Sequence, residues 1–187
     1  MPQLDEDEVM IIDLETTGFF PFKDLIVEIG IVQLDLNSGK RDHIMNELVI
    51  ESEKRLSQKR NSWIFKNSDL TYEELLEKGI SLSEISSKLS DLFRSNKFTG
   101  FYSEFDFTFL EARGFKIDKA ADIMYLSRKY LNIYYGIDKY PSVEECMKRI
   151  LKDYSKEPHR AIKDAEIEAK ILFEICKDEE IREELFN

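Results

Sequence analysis

A chain of 187 residues with 42% hydrophobic content has room for one domain with a buried core, while a net charge of -11 excludes a protein that coats nucleic acid through bulk electrostatics. No apolar run approaches the roughly 18 residues that a membrane span needs, so no membrane association is expected. The acidic start, Asp5-Glu6-Asp7-Glu8, is the opposite of a signal or transit peptide, and two widely spaced cysteines, Cys146 and Cys176, read as small core residues in a reducing, cytoplasmic setting.

Val9 to Ile12 is a run of four apolar residues, the pattern of a strand buried on both faces. Asp13 and Glu15 follow. Side chains alternate along a strand, so these two carboxylates share one face, about 6.6 Å apart, with Leu14 on the other. That spacing lets both reach one or two cations, which would compensate the cost of desolvating them. Thr16, Thr17 and Gly18 then break the strand into a turn. Taken alone, Asp-x-Glu at a strand end is more often the polar edge of a loop.

An aromatic turn, Phe19-Phe20-Pro21-Phe22, precedes a second strand from Leu25 to Leu36, and His43 to Ile50 suits a third. Short connections predict an antiparallel meander. Glu51 to Lys59 reads as a polar linker, and Lys54, Arg55, Lys59 and Arg60 as a solvated cluster that could also touch a phosphate backbone. From Trp63 onward the pattern turns helical: Leu70 to Leu76 ends at Gly79, and Ser83 opens another helix through Ile85, Leu89, Leu92 and Phe93. Lys97 to Phe101 is the fourth strand, Ser103 to Arg113 a helix, and Ala120 to Leu131 a short strand running into a helix. Pro141 starts a helix through Leu151, and one long helix runs from about Arg160 to the end. Without a repeat or linker to divide it, the chain (1–187) is expected to form a single α/β domain with an antiparallel component.

Two further acids matter. Asp106 lies in the first turn of its helix beside the core pair Phe105 and Phe109; Ser103-x-x-Asp106 also matches a capping box, which would give Asp106 a purely structural task. Asp164 sits between Ala161 and Ala165, small residues that would let the last helix approach the sheet closely. His159, five residues before Asp164, is about 140° away around a helix, so Pro158 must place it at or ahead of the first turn to share a site. With His43 the only other histidine, no zinc-site spacing exists.

In this order, Asp13-x-Glu15-Thr16-Thr17-Gly18, Phe105-Asp106 and His159-x-Ala161-x-x-Asp164-Ala165 resemble the DEDD exonuclease family in its histidine-containing branch, over nearly the whole chain. Asp24 to Gly30 is similar to the family's second strand. The family's His-Asn ahead of Phe-Asp is replaced by Phe101-Tyr102, and Lys66-Asn67-Ser68 stands near the place of its His-Gly-Ile. The resemblance implies a ribonuclease-H-like fold, a mixed five-stranded sheet flanked by helices. It implies that Asp13, Glu15, Asp106 and Asp164 hold two divalent cations, Mg²⁺ or Mn²⁺, that His159 is a general base, and that single-stranded 3′ ends are the substrate, DNA before RNA. Thr16, Thr17 and Gly18 would then present backbone groups to the terminal nucleotide, and Phe19 would act as an apolar wedge or else be a core aromatic. Tyr125, Tyr130, Tyr134, Tyr135 and Tyr140 are expected to be mostly packing residues. A DNA polymerase is the partner that a proofreading member would serve.

Overall fold

The computed structural model describes residues 7–133 and 139–187; Asp5 and Glu6 of the acidic start and Tyr134 and Tyr135 lie outside them. The first three strands, β1 (Glu8–Thr16), β2 (Ile26–Asp35) and β3 (Arg41–Ile50), form the expected antiparallel meander. The pleat sends Val9 and Ile11 into one core and Met10, Ile12 and Leu14 into another. Asp13 and Glu15 therefore continue the Val9–Ile11 side of β1.

The stretch expected to be a polar linker folds instead. Ser52 caps α1 (Glu53–Gln58) by accepting the N–H of Arg55, and α2 (Ile64–Asn67) follows. One buried residue from each, Leu56 and Ile64, seats these short helices against Leu25 and Val27; in α1 that single apolar residue is too little to give a periodic signal, while α2 lies where the pattern turns helical. α3 (Tyr72–Lys78) ends at Gly79, where a Cβ would lie 2.4 Å from the Leu75 carbonyl. β4 (Ile80–Ser81) pairs with the end of β3, and α4 (Leu82–Ser95) is opened by Ser81 rather than Ser83, in a capping box with Glu84. β5 (Lys97–Thr99) is shorter than expected, and α5 (Glu104–Glu111), β6 (Asp118–Lys119) and α6 (Ile123–Tyr130) follow. α7 (Val143–Cys146) passes into a π turn over Met147–Leu151, which stops at Lys152 with φ 58°. The expected single last helix is two, α8 (Ala161–Ile175) and α9 (Glu179–Phe186), because the Asp178 carboxylate accepts the N–H groups of Glu180 and Ile181 and starts a new helix.

The strand order is β4-β3-β2-β1-β5-β6. This mixed sheet has six strands where five were expected, since two-residue pairings at its edges leave no hydrophobic pattern. Helices α6, α8 and α9 pack on one side, α4 and α5 on the other. Cys146 and Cys176 are free and buried, as expected of small core residues. Among the described residues no helix is long and apolar enough to cross a membrane.

One close approach positions the rest. Gly30 on β2 stands opposite Asp13 on β1, and a Cβ there would lie 2.3 Å from the carbonyl carbon of Ala161. Ala161 and Ala165 are fully buried. The start of α8 thus rests on the sheet at the level of Asp13, as the alanines predict. Because the obstruction is backbone, Gly30→Ala is expected to destabilise the fold by about 3 kcal/mol, read as a fall of roughly 6–12 °C in Tm. A Tm within about 2 °C of the parent would show that the helix does not press on the sheet there.

Candidate active site

The end of β1, the first turns of α5 and α8, and the segment ahead of α8 converge on one cleft of about 160 Å³. Asp13, Glu15, Asp106, His159 and Asp164 all line it. Asp106 is buried and its Oδ1 accepts the N–H of Leu14 at 3.0 Å, which ties α5 to β1 between the two β1 carboxylates. The capping-box alternative is not realised: Ser103 makes no cap bond, and its hydroxyl donates to Asp122 Oδ2. Asp164 Oδ2 accepts the Arg160 N–H at 2.8 Å, while its Oδ1 is buried with no hydrogen-bond partner.

His159 has φ 51° and immediately precedes Arg160, the N-cap of α8. The left-handed backbone turns its ring out of the helical path and into the cleft, which is how a residue five positions before Asp164 reaches the same site. The helix start is clamped by Glu28 on β2, which is fully buried: Arg160 Nε lies 3.1 Å from both its carboxylate oxygens, and the Ala161 N–H donates to it at 3.2 Å. Glu28 pairs across the strands with Glu15, and a register shift follows directly at Glu15/Thr16. Such bulges bend a strand end and re-aim its side chains.

The residues expected to meet the terminal nucleotide stand beside the cleft rather than in it. Thr17 is buried; its N–H donates to the Leu25 carbonyl at 2.9 Å, and its hydroxyl accepts the Leu25 N–H at 2.9 Å. Thr16 Oγ1 donates to the Gly18 carbonyl at 2.7 Å. A Cβ on Gly18 would meet the Asp24 carboxylate at 2.6 Å, and Asp24 in turn accepts the Phe20 N–H and pairs with Lys59 at 2.6 Å. Thr16 to Asp24 is thus a braced turn, and its product is Phe19. That ring is 81% exposed, so it is no core aromatic, and it meets Phe105 edge-on at 6.3 Å between ring centres. Of the tyrosines expected to pack, Tyr125 and Tyr140 meet edge-on at 5.0 Å, but Tyr125 and Tyr130 are both exposed.

Three acids in or beside the cleft lie outside the three motifs. Glu168, one turn beyond Asp164 on α8, is 2% exposed and accepts the Phe101 N–H at 3.0 Å. Glu157 lines the cleft. Asp122 accepts the N–H groups of Tyr102 and Ser103 and holds the turn, with Tyr102 at φ 60°, that stands where the family has His-Asn.

So many buried acids repel one another. Burial, then Glu168 and Asp106 beside it, hold the Asp13 carboxyl well above the usual range. Burial with Asp164 and Glu28 nearby pushes Glu15 up to about 9, and burial with Glu157 pushes Asp164 up to about 7. The donor set fits divalent cations: the oxygens are hard, the Asp164 Oδ1 lacks any partner, and ligand atoms of Glu15, His159 and Asp164 lie within 4.8 Å of one another. The folded, cation-free protein retains protons that the unfolded chain releases near pH 4. Stability held in this way is complete below that pH and is lost as pH rises through about 7 for Asp164 and about 9 for Glu15. The Tm without cations should therefore fall from pH 5 to 9, by on the order of 10 °C. Saturating Mg²⁺ or Mn²⁺ should flatten that fall, and a cation-free Tm that rises over the interval would contradict these environments.

The fold has solved counterparts. E. coli Exonuclease I, in a zinc-bound complex with single-stranded DNA, superposes with a TM-score of 0.72 at 14% identity over 95% of this chain and 42% of its own. This chain thus spans less than half the length of that protein. The nuclease domain of 3′hExo, a DEDDh family member bound to rAMP, gives 0.59 at 17% identity over 92% of both chains, and cell-death related nuclease 4 gives 0.63 at 10% over 91% and 64%. No protein of curated function matches the sequence. The sequence model of the RNase T exonucleases matches residues 10–172, a span that contains all five cleft residues predicted from the motifs, and the chain belongs to that exonuclease family.

Proposed function

We propose that the protein is a 3′→5′ exonuclease that hydrolyses the terminal phosphodiester of single-stranded nucleic acid, DNA in the first instance, and releases nucleoside 5′-monophosphates. The observation that carries this reading is the meeting of Asp13, Glu15, Asp106, Asp164 and His159 in one cleft, with a buried carboxylate oxygen left unpartnered. The four carboxylates would hold two divalent cations, Mg²⁺ or Mn²⁺, whose chemistry when bound is to stabilise charge on the attacking and leaving oxygens of an in-line displacement.

The chain's own residues supply the rest. Water attacks the terminal phosphorus, the bridging P–O3′ bond breaks, the shortened strand keeps the 3′-oxygen and takes up a proton, and the released nucleotide keeps the phosphate. His159, at the cleft wall, accepts the attacking water's proton. Phe19 offers an exposed ring beside Phe105 against which any terminal base can stack, a contact worth roughly 1–3 kcal/mol. That Exonuclease I was solved in complex with single-stranded DNA supports the same substrate class here.

Matched 3′-labelled DNA and RNA oligonucleotides with Mg²⁺ or Mn²⁺ test the proposal. Release of mononucleotides that stops on chelation is the expected result, faster on DNA. Release from RNA alone would reassign the substrate. A protein that binds strands but releases nothing from either would be a non-catalytic module with the same fold.

A further inference from the structure

His159 is unusual for a general base. An imidazole that must take a proton is ordinarily aimed by a hydrogen bond from its other nitrogen to a carboxylate or carbonyl. Among the described residues, none donates to or accepts from this ring. Its backbone is committed to φ 51° just ahead of α8, which fixes where the ring starts but not how it is turned. Its one aromatic neighbour among the described residues is Trp63, at 5.1 Å between ring centres and 84° between planes.

Trp63 is well placed to hold something still. Its carbonyl accepts the N–H groups of Lys66 and Asn67 at 3.0 Å each and the Asn67 side-chain amide at 2.9 Å. The next residue, Ile64, is buried with Leu25, Leu56, Leu70 and Leu75. The backbone under the indole is therefore fixed, yet the indole itself is 57% exposed and fills no core. The indole is thus presented from a fixed base against the imidazole, which it meets edge to face.

Resting on the general-base reading above, we propose that Trp63 is the positioning residue for His159, setting the imidazole's orientation in the cleft by an edge-to-face contact in place of a hydrogen bond. Trp63 is not a catalytic residue. It acts by limiting the rotamers of the ring that accepts the proton, through the edge-to-face contact with the indole.

Trp63 is the only tryptophan in the chain, so its emission reports this contact directly. In cation-saturated protein without substrate, His159→Ala should change the intensity or maximum of that emission. Trp63→Leu should lower kcat roughly 10–100-fold, with KM, cation affinity by calorimetry and Tm near the parent values, and Trp63→Phe should recover most of the rate. In a His159→Ala background, Trp63→Leu should cost nothing further, because the ring it orients is gone. The proposal is overturned if Trp63→Leu keeps the parent kcat while His159→Ala does not. It is also overturned if the Trp63→Leu loss persists in the His159→Ala background or appears only in KM, which would make Trp63 a surface for the strand. Unchanged emission in His159→Ala would show that the contact is absent. If His159→Ala cuts as fast as the parent, the failure lies with the general-base reading itself, and the emission result shows separately whether the two rings touch.

Discussion

Asp13→Asn is expected to be nearly inactive and yet to melt at a higher temperature than the parent when cations are absent. Asp13 lies at the middle of the acidic cluster: burial raises its carboxyl, and Glu168, Asp106, Glu15 and Asp164 add to the effect. An amide of the same shape removes the cost of burying this acid, whether charged or protonated, so the cation-free fold should gain on the order of 1–3 kcal/mol, or about 2–12 °C in Tm. Activity moves the other way. Under the proposed function, the cluster's repulsion is relieved by the cations that its oxygens would hold. Losing the central acid should cost at least about 4 kcal/mol of transition-state stabilisation, a factor of roughly 10³ in kcat/KM. Calorimetry should show weaker Mn²⁺ binding with fewer sites. A protein that loses activity and stability together would point to a misfolded variant and a structural Asp13. Full activity would remove the acid from the site.

What could be read from the residues alone followed from local geometry. The shared face of Asp13 and Glu15 needs only the two-residue repeat of a strand, and the close seat of α8 needs only small side chains at Ala161 and Ala165. Even the odd position of His159 was implied, since 140° of helix and a preceding proline leave it no place but ahead of the first turn. Contacts between distant segments left no such mark. Arg160 and Glu28 are 132 positions apart and read in sequence as two ordinary surface charges, although together they clamp α8 to β2. Glu168 is one among 38 acids, and only its spacing of four from Asp164 hinted that it faces the same way. From Trp63 onward the pattern turns helical, as α2 bears out, but nothing in it marks the indole, since the one buried residue of that helix is Ile64. The turn at Thr16 to Asp24 shows a different gap. The motif marks it as functional, but the hydroxyl and N–H of Thr17 are spent on holding the turn itself, which leaves Phe19 as the group presented outward.

Two chemical roles are open to a histidine whose ring atom lies within 4.8 Å of ligand oxygens of Glu15 and Asp164, and one variant separates them. As a cation ligand, His159 would lower cation affinity sharply when removed. As a base, it would leave affinity alone and slow the chemical step. Hard cations such as Mg²⁺ favour oxygen, and Asp13, Glu15, Asp106 and Asp164 already supply four carboxylates. The base is the role those acids cannot fill, because a carboxylate holding a cation is a poor proton acceptor. His159→Ala is therefore expected to lower kcat roughly 10²–10⁴-fold, with Mn²⁺ affinity within about threefold of the parent and an unchanged Tm, since the half-buried ring carries none of the clamp between Arg160 and Glu28. His159→Gln should behave as His159→Ala does: an amide can hydrogen-bond a water but cannot take its proton. If affinity falls more than about tenfold while the rate at saturating Mn²⁺ stays high, His159 is a ligand, and the proton of the attacking water must leave by another path, of which Glu157 at the same cleft wall is the nearest candidate.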